Sequence, residues 1–222
     1  MYSLLLISLF SFAQQDVQIS KTEKYYFAVM SWESQPYDPL KTHTFATVIH
    51  MKDGKAEQTT LSWFPATEVV RPVQILPEKG TNLSLEKSLE FATQNKLRVS
   101  LWGPFEVSEK FYDSFKLHVG KFDRGEVAYR PCSGISVNKD SVFDCAHAVE
   151  NFYRKDQSFI GPMGFGDEVS ARIATELSGE YLDGKKPHPE VLEKLGLDKY
   201  PFTKKDLILP TAVGEDIKKP RP

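Results

Sequence analysis

A β-hairpin signal in the N-terminal half restricts the fold more than any other feature of this sequence. The segment HTFATVIHM (43–51) alternates its side chains between the two faces of a strand. It leads into Asp53-Gly54, a dipeptide that two-residue hairpin turns prefer because both positions require a positive φ. Residues 57–64 then supply a returning strand rich in threonine and aromatic residues. The sequence therefore predicts a hairpin over residues 43–64.

Strands and helices alternate around this hairpin in a way that favours an α+β fold. One buried strand is predicted over 24–32, and another over 97–107 that is stopped by Gly103-Pro104. Ser84 and Ser108 stand where helix N-caps are expected. Because strands come as hairpins with helices inserted between them, we expect an antiparallel sheet packed against helices, not a doubly wound parallel sheet. The predicted helices cover 82–96, 109–122, 144–154, 167–182 and 188–197.

The two ends of the chain differ from its centre. Residues 1–13 (MYSLLLISLFSFA) hold a short apolar run followed by small residues, which is the pattern of a signal peptide. A buried N-terminal strand or helix is the alternative. The run is too short to span a bilayer and no other apolar segment approaches that length, so we expect a periplasmic or secreted protein without stable membrane insertion. Residues 24–183 are expected to form one domain, and residues 184–222 a short helix and a proline-rich tail.

Charge and motif content narrow the classes of partner. The 222 residues include 28 basic and 30 acidic side chains, for a net charge of −2. Without a basic excess we expect no nucleic-acid partner. The segment GPMGFG does not follow a predicted strand, which argues against a dinucleotide or phosphate site. A Cys-x-His pair alone lacks the ligand spacing of a zinc site, so we expect neither a cofactor nor a metal.

Cys145 admits three interpretations. It stands at the start of a predicted helix, where unpaired N–H groups and the helix dipole lower the pKa of a thiol and favour a nucleophilic thiolate. Asp144 or Ser141 is the candidate N-cap, and the carboxylate of Asp144 acts in the opposite direction. In an exported protein Cys145 is also a candidate for a disulfide with Cys132, thirteen residues earlier. The third interpretation is an inert core thiol beside Ala146 and Ala148.

A nucleophilic Cys145 needs a base, and three histidines are candidates. His147 is close in sequence but lies about 200° around the helix from Cys145, so it points away. His43 and His50 belong to the predicted hairpin and are seven residues apart, so they face opposite sides of one strand. We expect His43 to be the base, with His50 as the alternative.

The order of these residues resembles that in the circularly permuted papain-like thiol enzymes. This group includes permuted relatives of the NlpC-type cell-wall peptidases and the lecithin:retinol acyltransferase-like proteins. In it a histidine-bearing strand precedes a cysteine at a helix start, as HTFATVIH precedes DCAHAV here. The residue before the family cysteine is often asparagine, where this chain has Asp144. The segments HTFA, WGP and CAHA also resemble a family of exported bacterial proteins.

The resemblance implies a permuted papain-like core in which Cys145 is the nucleophile and His43 the base. His50, Thr60 and Ser62 are candidates for the residue that orients the imidazole, because all three lie on the predicted hairpin. Trp63 and Trp102 are either core aromatics or the lining of a substrate cleft.

Two functional hypotheses follow. The first is an exported Cys–His thiol hydrolase or acyltransferase that acts on amide or ester bonds of a peptide-like or small acyl substrate, which the resemblance suggests is cell-wall peptide. The second is a non-catalytic periplasmic binding or scaffold domain whose Cys145 is inert or disulfide-bonded. A Cys145 thiol within hydrogen-bond reach of a histidine, and open to a cleft, distinguishes the first hypothesis from the second.

Overall fold

The computed structural model describes residues 23–71, 74, 76–131, 141–153 and 166–208. The predicted signal peptide, Cys132 and the last residues of the predicted tail lie outside the described residues. Helices are α1 (Leu85–Gln94), α2 (Glu109–Asp123), α3 (Cys145–Glu150), α4 (Asp167–Glu176) and α5 (Glu190–Lys194). Strands are β1 (Lys24–Glu33), β2 (Thr42–Lys52), β3 (Lys55–Leu61), β4 (Trp63–Pro65), β5 (Glu78–Asn82), β6 (Arg98–Val107), β7 (Ala128–Tyr129), β8 (Val142–Phe143) and β9 (Phe202–Lys205).

The strands form two sheets in which antiparallel pairs dominate. The larger sheet has the order β3-β2-β1-β6-β9, and its only parallel pair among the described strands joins β6 to β9. The smaller sheet has the order β4-β5-β7-β8. With helices packed against these sheets, the molecule is an α+β protein, as the sequence predicts.

The predicted hairpin is present as β2 and β3. Asp53 and Gly54 form its turn with φ values of 50° and 77°, the left-handed conformation that a two-residue turn of this kind requires. The returning strand ends earlier than predicted, at Leu61, which pairs with Ala46. The strand β4 follows after one residue, leaves the hairpin and pairs with β5 in the smaller sheet. Ser62 therefore lies at the point where the chain passes from one sheet to the other.

The prediction that Gly103-Pro104 stops a strand is wrong, because β6 continues through it. Trp102 pairs with Val29 and Phe105 pairs with Phe27, so two residues of β6 are accommodated opposite a single residue of β1. This is a β-bulge, which absorbs extra residues and lets pairing resume beyond them. Gly103 has a φ of 91°, and a Cβ there would lie 2.9 Å from the carbonyl oxygen of Phe27. The dipeptide bends the strand and does not end it.

Each face of the large sheet has its own core. Side chains of α2, α3 and α4 pack with one face, which includes Phe27, Val29 and Ala46. Side chains of α1 and of the α5 region pack with the other face, which includes Met30 and Phe45. The alternation of side chains along β1 and β2 produces this division.

The segment after residue 183 contributes to the same body as the residues before it. The short helix predicted there is α5, and its Leu192 is buried in the core on the α1 side. The strand β9 was not predicted, since only a tail was expected after the helix, and it pairs with β6 at the edge of the sheet. Among the described residues, no helix combines the length and the apolar character that crossing a membrane requires.

Candidate functional site

His43 lies near the start of β2, in an aromatic pocket on the α1 side of the large sheet. Its ring centroid is 4.3 Å from that of Trp32, its partner on β1, and 5.2 Å from that of Phe64 on β4. Phe45 packs beside it at 5.6 Å. Only 1% of His43 is exposed, so solvent does not reach most of the imidazole.

A chain of hydroxyl groups joins His43 to helix α1. His43 Nε2 lies 2.9 Å from Ser62 Oγ, and Ser62 Oγ lies 2.8 Å from Ser88 Oγ. Ser88 Oγ also lies 2.9 Å from the carbonyl oxygen of Ser84, the N-cap of α1. The backbone N–H of Ser62 donates to Asn82 Oδ1 at 2.8 Å, which holds Ser62 at the passage between the sheets. Ser62, predicted as a candidate for orienting the imidazole, thus contacts it directly.

The burial of His43 keeps its imidazole neutral. Loss of solvation lowers its pKa to about 3, and the nearby carboxylate of Asp144 opposes this only in part. Its Nδ1 is buried and has no hydrogen-bond partner within the described part of the chain. The residue therefore presents one ring nitrogen fixed by Ser62 and one unoccupied.

Cys145 begins helix α3, as the sequence predicts. Asp144 is the N-cap, and its carboxylate accepts the backbone N–H of His147 at 2.9 Å. The pairing of β3 with β2 ends at Ala46, so the first residues of β2 have an edge that β3 does not cover. Cys145 lies at this edge, where the backbone N–H of Thr44 faces its sulfur together with the N–H groups of Cys145 and Ala146.

The helix start lowers the thiol pKa, as the sequence predicts, but larger effects outweigh it. Burial and the charge of Asp144, in that order, raise the pKa of Cys145 to about 12. The N–H groups of Thr44, Ala146 and Cys145 act in the opposite direction but are outweighed. The resting thiol is protonated at neutral pH.

Cys145 and His43 make no hydrogen bond to each other, since His43 Nε2 contacts Ser62 and Nδ1 has no partner among the described residues. Helix α3 contributes Ala148 and Val149 to the core of one sheet face, whereas the His43 ring packs on the other face. Strand β2 links them, since the sulfur faces the N–H of Thr44, the residue after His43. The site therefore combines a neutral thiol with a neutral imidazole.

The other two histidines considered as bases occupy different environments. His50 stacks on Tyr25, with ring centroids 4.9 Å apart, and lies 3.4 Å from Glu23. Seven residues along a strand place it about 23 Å from His43, so it does not belong to the same site. His147 Nδ1 lies 2.7 Å from Asp144 Oδ2. Burial lowers the pKa of His147, but the hydrogen bond and charge of Asp144 outweigh burial and raise it above its ordinary value.

Neither tryptophan lines a cleft. Trp63 is 1% exposed, and its indole lies across β5 so closely that a Cβ on Gly80 would be 2.0 Å from it. Trp102 is 2% exposed and packs in the same core. Both are core aromatics, because they belong to the core that the side chains of α2, α3 and α4 form with the strands. A surface cleft of about 320 Å³ does occur near Thr60, Asn82 and Ser84, and neither Cys145 nor His43 lines it.

The disulfide interpretation concerns Cys132, which lies outside the described residues, while Cys145 carries a free thiol. Within the described ranges no three or more His, Cys, Asp or Glu side chains are grouped so as to hold a metal ion.

Sequence reasoning missed Ser88, the second hydroxyl of the chain behind His43. The sequence did contain a signal for Ser88. It stands four residues after Ser84, and the other residues on the same face of the predicted helix are apolar. Ser88 is fully buried with Leu85, Leu89 and Ala92. A buried serine needs a hydrogen-bond partner, and Ser88 has two.

Comparison with protein-family models, with curated proteins and with solved structures finds no match to this chain.

Proposed function

We propose that this protein is an exported Cys–His thiol hydrolase or acyltransferase with a permuted papain-like core. Cys145 is the nucleophile, His43 the general base and Ser62 the residue that orients the imidazole. The substrate is a peptide-like or small acyl compound with an amide or ester bond, such as cell-wall peptide. The observation that carries the proposal is the His43 imidazole, whose Nε2 is held by Ser62 and whose Nδ1 is unoccupied, together with a Cys145 thiol that faces the backbone N–H of Thr44, the residue after His43.

The proposed reaction is acyl transfer through a thioester. Cys145 gives its proton to His43 Nδ1 as the sulfur attacks the carbonyl carbon and a C–S bond forms. The imidazolium then protonates the leaving amine or alcohol as its bond to the carbonyl breaks. Water or another acceptor, deprotonated by His43, cleaves the thioester and restores the thiol.

Backbone donors near the sulfur suit this chemistry. The N–H groups of Thr44 and Cys145 face the position of the thiol, and an oxyanion formed there would accept them. For proton transfer the thiol must exchange its contact with Thr44 for one with His43 Nδ1. We assign this exchange to the entry of substrate, since the thiol and the imidazole are both neutral at rest.

The runner-up function is a non-catalytic periplasmic binding or scaffold domain. It is favoured by the geometry, since Cys145 makes no hydrogen bond to His43 Nδ1, and by a raised pKa of Cys145 together with a His43 pKa lowered to about 3. Such a pair does not supply a thiolate at rest, and a thiol that stays protonated is expected to be unreactive.

Acylation of the thiol by a generic donor tests the proposal. The full mature protein is mixed with p-nitrophenyl acetate, and the release of p-nitrophenol is followed together with the mass of the peptide that carries Cys145. We expect an acetyl group on Cys145 that turns over. Loss of the base costs a general-base catalyst about 10²- to 10⁴-fold, and we expect a drop in that range for His43→Gln.

His50→Gln is the matched control, because His50 is the other histidine of β2 and lies outside the site. It should acylate at the wild-type rate, whereas Cys145→Ala should form no adduct at that peptide. A folded wild type that acquires no acyl group from ester or amide donors supports the non-catalytic domain instead. A loss in His50→Gln with normal rates in His43→Gln would assign the base to His50.

Export is the second part of the proposal. Its support is the apolar run and the small residues of 1–13. Expression of the full chain in a Gram-negative host should give a periplasmic product whose mass corresponds to cleavage near Ala13. A product of full-length mass in the cytoplasmic fraction would contradict it.

A further inference from the structure

The hydroxyl chain behind His43 ends at a group that can only accept a hydrogen bond. The carbonyl oxygen of Ser84 has two lone pairs, and it receives the backbone N–H of Ser88 at 2.9 Å and faces Ser88 Oγ at 2.9 Å. From there the chain runs through Ser88 Oγ and Ser62 Oγ to His43 Nε2. One end of the chain is therefore fixed as an acceptor.

The protons of this chain have two consistent arrangements, because each hydroxyl carries one proton. In the first, Ser88 donates to the Ser84 carbonyl, Ser62 donates to Ser88, and His43 donates from Nε2–H to Ser62. In the second, Ser88 donates to Ser62, Ser62 donates to His43 Nε2, and the imidazole proton is on Nδ1. The two arrangements differ in the tautomer of His43.

The surroundings of Nδ1 distinguish the two arrangements. In the second, Nδ1 carries a buried N–H that has no acceptor among the described residues. In the first, Nδ1 carries only a lone pair, and buried acceptors without partners are tolerated better than buried N–H groups without partners. Ser62 and Ser88 are fully buried and His43 is 1% exposed, so solvent offers no alternative partner to the chain.

We propose that Ser88, anchored on the Ser84 carbonyl, is a positioning residue that fixes His43 as the Nε2–H tautomer and leaves Nδ1 as the basic nitrogen. The inference rests on the proposed function for its catalytic meaning, since the basic nitrogen is the one that would take the proton of Cys145. The depressed pKa of His43 supports it, because only a neutral imidazole has a tautomer to select.

Removal of the Ser88 hydroxyl should reverse the tautomer. In Ser88→Ala the Ser62 proton loses its acceptor and turns to His43 Nε2, which moves the imidazole proton to Nδ1. The side chain of Ser62 keeps its contact with the ring, so the ring position is retained while its basic nitrogen is lost. We expect the acylation rate of Cys145 to fall by about 10²-fold or more, towards that of His43→Gln.

Nitrogen-15 NMR of the histidine side chains measures the tautomer without reference to activity. The wild-type protein, labelled at histidine, should show His43 protonated at Nε2, with its resonances assigned by their loss in His43→Gln. Ser88→Ala and Ser62→Ala should each show a loss of the pure Nε2–H pattern. Thr93→Val is the matched control, because Thr93 Oγ1 donates to the Leu89 carbonyl of the same helix at 2.8 Å but does not reach His43.

The outcomes separate this inference from the proposed function. A wild-type Nδ1–H pattern overturns the inference directly, without any variant. An unchanged tautomer in a folded Ser88→Ala protein also overturns it, even if acylation depends on His43. If Ser88→Ala changes the tautomer as expected and Thr93→Val does not, the positioning of His43 by Ser88 is established, and the absence of any acylation would then count against the proposed enzyme alone.

Discussion

Asp144 caps helix α3 and at the same time opposes ionisation of the thiol that follows it. Its carboxylate accepts the backbone N–H of His147 and faces the ring Nδ1 of the same residue. After burial, its charge is the next largest cause of the raised pKa of Cys145. Asparagine caps a helix as well as aspartate does but carries no charge. The two effects of this residue can therefore be separated by one substitution.

Asp144→Asn should lower the pKa of Cys145 while α3 keeps its cap. The pH profile of Cys145 alkylation by iodoacetamide, read by mass spectrometry, should move towards lower pH. At a fixed pH below the pKa, a thiol whose pKa is lower by one has a thiolate fraction about tenfold larger. Asp198→Asn, at an exposed position, is the control and should leave the profile unchanged. A profile that does not move in Asp144→Asn would show that the charge of Asp144 does not raise the thiol pKa.

The lowered pKa of His43 leads to a second prediction at the scale of one residue. The folded state holds His43 neutral down to about pH 3, whereas an unfolded histidine binds a proton below about pH 6.5. The unfolded state thus binds more protons in this window, so His43 stabilises the fold fully above pH 6.5, and this contribution is lost as the pH falls towards 3.

Urea unfolding at a series of pH values measures this contribution. Between pH 6 and pH 5 the wild type should lose about 1 kcal/mol more of its free energy of unfolding than His43→Gln does. Glutamine does not titrate, and its amide can still reach Ser62. Parallel pH dependences for the two proteins would mean that the folded state protonates His43 as readily as the unfolded state does, which contradicts a neutral buried imidazole.

At the scale of elements, the hairpin turn offers a prediction with few confounding contacts. Gly54 has a φ of 77°, and a Cβ placed there would meet no atom within 4 Å. Gly54→Ala should therefore destabilise the protein by about 1 kcal/mol through backbone strain alone. Gly179→Ala is the control, since its Cβ also meets nothing within 4 Å and its φ is not in the left-handed region. Equal stabilities of the two variants in urea unfolding would contradict a strained turn.

The elements that the sequence predicted well are those specified by neighbouring residues. Asp53-Gly54 sets its turn, and Ser84, Ser108 and Asp144 each cap the helix that follows them. These signals act within four residues, so the sequence shows them directly. The bulge at Gly103-Pro104 was missed because its cause is the pairing of β6 with β1, some 75 residues earlier in the chain, and not the dipeptide itself.

Some features of the candidate site could likewise be predicted from the sequence, and others could not. The order of His43 and Cys145, the start of α3 at Cys145, and Ser62 as a neighbour of the imidazole could be proposed from sequence. The protonation of the site could not, because it depends on burial, which raises the pKa of Cys145 and lowers that of His43. Ser88 enters the site only because α1 packs on the strand face that carries His43.

At the scale of the whole molecule, one charged cluster joins segments from both ends of the described chain. Asp167, the first residue of α4, lies 2.8 Å from Arg98 Nη2 on β6 and 3.0 Å from Lys205 Nζ on β9. Ser31 Oγ on β1 donates to Asp167 Oδ1 at 2.5 Å. The backbone N–H of Asp167 donates to Glu33 Oε1 at 2.8 Å. A single carboxylate thus ties a helix to three strands of the large sheet.

Asp167→Ala should consequently destabilise the protein more than the loss of a partly exposed carboxylate usually does. Burial raises the pKa of Asp167, but hydrogen bonds from Ser31, Lys205 and Ser100 outweigh burial and lower it. Hydrogen bonds to a charged group contribute about 1.5–3 kcal/mol each when a partner is removed, and they are not additive here. We expect a loss of about 2–4 kcal/mol in the free energy of unfolding at neutral pH, measured in urea.

The neighbouring Glu168 provides the matched control for this prediction. It shares the first turn of α4, and therefore the same helix dipole, but its side chain is exposed. Glu168→Ala should cost less than about 1 kcal/mol. The pH dependence supplies an independent check, because a lowered carboxyl pKa gives stability that is present above about pH 4 and is lost as the pH falls below it. If Asp167→Ala loses no more stability than Glu168→Ala, or keeps the acid dependence of the wild type, the cluster does not fasten α4 to the sheet.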